Sequence, residues 1–71
     1  MDMLILRTNI KSDEEFRRVF NNLSNRFAIN DCTIDLEDRD KVLRLIGNNL
    51  NLNDITEKVE KLGFACEDLP D

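Results

Sequence analysis

Ser12 and Glu15 are the pair whose types and spacing most invite a chemical reading. A hydroxyl and a carboxylate three residues apart, just ahead of an apolar helical stripe, form the pattern of a capping box. The Ser12 hydroxyl is expected to accept from the Glu15 amide, and the Glu15 carboxylate to reach back to the Ser12 amide. Asp13 and Glu14 add negative charge where a helix dipole is positive. The chemistry expected of the pair is therefore hydrogen bonding. Two other groups carry reactive atoms. Asp35, Glu37, Asp38 and Asp40 cluster in sequence, but without the twelve-residue loop, central Gly and terminal Glu of an EF-hand, so no calcium site is expected. Cys32 and Cys66 are the chain's 2 cysteines, and with no His they give neither a zinc pattern nor a disulfide framework. No His and no carboxylate pair with an evident pocket also argue against an enzyme.

The elements that must position these residues follow from periodicity. An apolar run at residues 3–8 reads as a strand, with Leu4, Leu6 and Thr8 on one parity and Met3, Ile5 and Arg7 on the other. A helix is expected over 13–25, because Phe16, Val19, Phe20 and Leu23 make one stripe. Asp13–Arg17 and Glu14–Arg18 stand four apart on its solvent side. Residues 29–36 read as a second strand with Cys32, Ile34 and Leu36 facing together. A turn at 37–40 and a third strand at 41–46 complete a hairpin. Gly47, Asn48 and Asn49 read as a turn, and Asn51 as the cap of a second helix with Leu50 and Ile55 placed as a hydrophobic staple. Leu52, Ile55, Val59 and Leu62 form its stripe, Gly63 ends it, and 64–69 reads as a last strand before Pro70.

This order, strand–helix–strand–strand–helix–strand, predicts an α+β, ferredoxin-like βαββαβ sandwich: a four-stranded antiparallel sheet with two helices on one face. A chain of 71 residues is expected to form one domain over 1–71, burying roughly 60% of its unfolded surface. A net charge of −5 argues against nucleic acid and anionic membrane as partners. No apolar run approaches the length of a membrane span, and Met1-Asp2-Met3-Leu4 lacks the basic start of a signal peptide, so a cytoplasmic location is expected.

With that order, the junction resembles the heavy-metal-associated domain of copper chaperones and metal-transporting ATPases. The resemblance rests on Thr8-Asn9-Ile10-Lys11 before the loop, Ile34-Asp35-Leu36 in the second strand, Asp40-Lys41-Val42-Leu43 opening the third, and Lys61-Leu62-Gly63-Phe64 closing the second helix. That family ends its first strand with Met-x-Cys-x-x-Cys. Placed on this chain, the Met falls on Ile10 and the two Cys fall on Ser12 and Glu15. The resemblance implies the fold. It also implies a degenerate metal site, because Cu(I) wants soft thiolates and Ser12 and Glu15 are hard ligands.

The leading functional expectation is a metal-independent binding or structural module without a cofactor. A partner or regulatory component of a copper or heavy-metal trafficking system is the alternative, and an ACT-like ligand-sensing module shares the element order. RNA-recognition domains share it too, but need stacking aromatics that the first and third strands lack. An acylphosphatase needs a phosphate-cradling loop where this chain is acidic. The open sheet face should carry Met3, Ile5, Val42, Ile46 and Leu69, a candidate surface for a protein partner or a homodimer.

Overall fold

A computed structural model describes residues 1–69. Its elements are β1 (Asp2–Thr8), α1 (Asp13–Arg26), β2 (Ala28–Asp35), β3 (Val42–Asn48), α2 (Leu52–Lys61) and β4 (Cys66–Asp68). The strands form one antiparallel sheet in the order β2-β3-β1-β4. The expected ferredoxin-like sandwich is thus present. Leu6 of β1 and Leu43 and Leu45 of β3 are fully buried with Val19 and Leu23 of α1 and Ile55 and Val59 of α2. One sheet face therefore meets both helices, α1 over β2 and α2 over β4.

The helix ends form for local reasons. Asn51 accepts from the Asp54 amide at 3.0 Å and caps α2. At its other end Gly63 adopts φ +98°, its amide donates to the Glu60 carbonyl, and the Phe64 amide donates to the Val59 carbonyl. This is a complete Schellman motif, with Phe64 and Val59 both buried against the core. It also corrects the last strand. Residues 64–69 do not all pair, because the Phe64 amide is used by the helix end and the Ala65 amide by Asn9, so β4 is only Cys66–Asp68.

Three further expectations shift. In β2 the register slips between Ile29 and Asp31, so Ile29 faces the helices although simple alternation would send it outward. The hairpin loop is longer than 37–40, because Asp35 pairs with Val42 and Lys41 takes φ 45°, which removes it from the third strand. Gly47 and Asn48 belong to β3 rather than to a turn, and Asn49 alone takes a positive φ of 56°. Gly47 faces the core side opposite Ile29, where a Cβ would overlap the Ala28 carbonyl oxygen. The charge pairs expected on α1 do not form: Arg18 lies 5.9 Å from the Phe64 ring centroid, and the three ion pairs among the described residues lie elsewhere.

Candidate functional site

The β1–α1 junction is a hydrogen-bonded knot. Ser12 is extended (φ −146°, ψ 161°) and its hydroxyl accepts from the Glu15 amide at 3.1 Å, as expected of a cap. The reciprocal bond differs from expectation. The Glu15 carboxylate accepts from the amide of Lys11 at 2.7 Å, not from Ser12. The physical reason is that β1 ends at Thr8, so the Lys11 amide has no ladder partner, and the extended Ser12 turns that amide toward the carboxylate. Ser12 is exposed and Glu15 half-buried, while Ile10 is fully buried and serves the core. Ser12→Ala is expected to cost about 1 kcal/mol, which for a domain of this size lowers Tm by about 4–8 °C. Thermal unfolding followed by circular dichroism checks this.

Three residues to which the sequence reading gave no side-chain partner tie the junction to its neighbours. The Asn9 carboxamide oxygen accepts from the Ala65 amide at 2.8 Å, joining the junction to the loop before β4. The Thr8 hydroxyl donates to the Lys41 carbonyl at 2.6 Å and accepts from the Ile10 amide at 3.3 Å. Arg7 bridges Glu67 at 2.7 Å and Asp40 at 3.3 Å. An Asn and a Thr just where a strand stops are a sequence signal for local backbone capture, but their partners lie far along the chain.

The two cysteines sit on β2 and β4, at opposite edges of the sheet. Three strand spacings, about 14 Å, separate them, beyond the roughly 7 Å that a disulfide allows between Cα atoms. Burial, with the negative charge of Asp31, pushes the Cys32 thiol up to about 12. Burial also pushes the Cys66 thiol up to about 11, with Glu60 and Glu67 adding to the rise and a hydrogen bond with Thr56 opposing it. Both thiols are therefore weak nucleophiles at neutral pH. An aromatic disulfide reagent at pH 8 is expected to label the folded protein at least tenfold more slowly than the urea-unfolded chain. The linkage sign is the same for both groups. The unfolded chain loses its thiol protons near 9.0 while the folded chain keeps them, so this part of the stability is full below pH 9 and falls as pH rises toward 11–12.

Two carboxylates of the acidic cluster are occupied by the backbone. Asp35 Oδ1 accepts from the amides of Glu37 and Asp38, and Asp38 Oδ1 accepts from the amide of Asp40. Among the described residues no three His, Cys, Asp or Glu side chains converge on a point that could hold a metal ion. At the junction the donor set is one hydroxyl and one carboxylate, both engaged in the cap, which does not suit a soft ion.

On the open face, Met3 stands opposite Ile46, and Ile5 opposite Arg44. Met3 is exposed, while Ile5, Val42, Ile46 and Leu69 are half-buried. The Leu69 amide donates to the Ile5 carbonyl beyond the end of β4. Thr33 and Arg44 pair across β2 and β3, so Arg44 lies in the middle of the face with apolar neighbours on either side along its strand.

Two solution structures of the yeast copper transporter domain, described in apo and Cu(I)-loaded states, superpose on this chain with a TM-score of 0.81 at 22% identity. The matches cover 97% and 100% of this chain and 96% and 99% of theirs. This chain therefore shares the ferredoxin-like fold of that copper transporter domain. No protein-family description and no curated protein matches the sequence. Ile10, Ser12 and Glu15, onto which the resemblance maps the metal motif, lie at the β1–α1 junction, and the two cysteines lie on β2 and β4. No helix among the described residues is long and apolar enough to cross a membrane.

Proposed function

We propose that this protein is a metal-independent binding or structural module built on the heavy-metal-associated fold, and not an enzyme. The observation that carries the reading is the state of Ser12 and Glu15. Each is used to close the helix N-terminus, Ser12 on the Glu15 amide and Glu15 on the Lys11 amide. In this reading hydrogen bonds hold the loop in the place where metal coordination would hold it in the resembled family. The open sheet face, with Met3, Ile5, Val42 and Ile46, is the surface offered to a protein partner or a second copy.

A second reading places the domain in copper traffic as a partner or regulatory component, and the likeness to a copper transporter domain favours it. Titration of the reduced protein with Cu(I) against a competing chelator separates the two. The expected result is no binding at sub-micromolar Cu(I). Sub-micromolar binding that is abolished by Glu15→Ala overturns the metal-independent reading and promotes the second.

A further inference from the structure

We propose that the groove at the hairpin end of the open face, between Arg44 and the Asp35–Asp38 turn, binds a small zwitterion of the α-amino-acid type. This goes beyond the module reading above and does not depend on the junction. The groove has a volume of about 350 Å³ and is lined by Thr33, Ile34, Asp35, Asp38, Val42 and Arg44. That volume lies at the lower end of the range for small-molecule sites.

Its lining carries charges of both signs. The other arginine of this face, Arg7, is held by Asp40 and Glu67. Arg44 has no ion pair among the described residues, although two carboxylates line the same groove. Those carboxylates are fixed by the turn and not by Arg44. Asp35 Oδ1 takes the amides of Glu37 and Asp38, and Asp38 Oδ1 takes that of Asp40. The turn is further closed by the Lys41 amide on the Asp38 carbonyl at 3.0 Å and by Lys41 Nζ on the Leu36 carbonyl at 2.7 Å. Each carboxylate thus keeps its second oxygen outside these bonds.

The register puts Thr33 opposite Arg44 and Asp35 opposite Val42, so the cationic and anionic walls are diagonal neighbours with an apolar side chain beside them. A ligand carboxylate would take the guanidinium fork, its ammonium would take the free oxygens of Asp35 and Asp38, and a short aliphatic group would cover Val42. An ion of one sign would gain from one wall and be opposed by the other.

The test is an amide-resolved NMR titration of the full chain with L-alanine, with acetate and ethylammonium as single-charge probes. The expected result is saturable shifts at Thr33, Asp35 and Arg44 with L-alanine. The single-charge probes should bind roughly tenfold or more weakly, since each loses one charge-assisted contact. Arg44→Gln and Asp35→Asn should each weaken L-alanine by a similar factor, and Asn retains the Oδ1 acceptor that the turn needs. Unchanged amide positions elsewhere verify the fold of each variant. Three results overturn the proposal: no saturable shift with L-alanine, the same affinity for acetate alone, or an Arg44→Gln variant that binds as wild type. None of them bears on Cu(I), so failure here and failure of the module reading are read from separate titrations.

Discussion

Ser12→Cys combined with Glu15→Cys is expected to give this protein Cu(I) binding below the micromolar level. Sub-micromolar binding corresponds to more than about 8 kcal/mol of binding free energy, the largest change expected of any variant here. The argument is geometric. Ser12 is the N-cap of α1 and Glu15 its third helical residue, and the Ser12 hydroxyl already meets the Glu15 amide at 3.1 Å. Side chains at these two positions rise from the same turn, the spacing that the resembled family uses for its thiolates. Thiols at a helix N-terminus are also easier to deprotonate, which favours metal binding at neutral pH. The metal-free variant should lose about 1 kcal/mol of stability with the Ser12 cap. Chelator competition measures the affinity, and thermal unfolding with and without Cu(I) reads the coupling. A double variant that folds but binds no Cu(I) would show that the junction differs in shape from the family it resembles.

Gly47→Ala is expected to destabilise the fold by about 3 kcal/mol, the upper part of the range for overpacking. At 0.05–0.15 kcal/mol per residue a domain of this length holds only about 4–11 kcal/mol in all. A fall in Tm of roughly 12–24 °C follows. The new methyl would overlap the Ala28 carbonyl oxygen and press on Leu50 Cδ2 at 3.1 Å. Leu50 can move, but Ala28 cannot move cheaply, because it pairs with Asn48 at the start of β2. Gly63→Ala is the internal comparison. It meets nothing within 4 Å and is strained only by φ +98°, so its cost should be about 1–2 kcal/mol. Equilibrium urea unfolding of both variants checks the order. A Gly47→Ala protein as stable as wild type would refute the close approach of β3 to Ala28.

Residues whose roles are set by near neighbours were legible from the chain itself. The stripes of α1 and α2, the caps at Ser12 and Asn51, the left-handed Gly63 and the element order all appear where periodicity and capping chemistry place them. These are decided within about one helical turn, so a linear reading contains the needed information. The strand parities were equally readable: Leu43 and Leu45 face the helices and Val42 and Ile46 do not, because a strand alternates whatever it pairs with.

What the linear reading missed depended on partners far along the chain. Gly47 looks like a turn residue until β2 brings the Ala28 carbonyl against it, and only the slip between Ile29 and Asp31 turns Ile29 inward. Residues 64 and 65 look like strand until their amides are claimed by Val59 and Asn9. Arg7 finds Glu67 60 residues away, and Asn9 finds Ala65 56 residues away. Even the Glu15 carboxylate, a local group, chose Lys11 over Ser12 because β1 stops at Thr8 and leaves that amide unpaired. A hydrogen-bonding group is visible in a sequence, but its partner is settled only when the sheet order β2-β3-β1-β4 brings distant backbone beside it, since each buried donor must then take whichever acceptor the fold supplies.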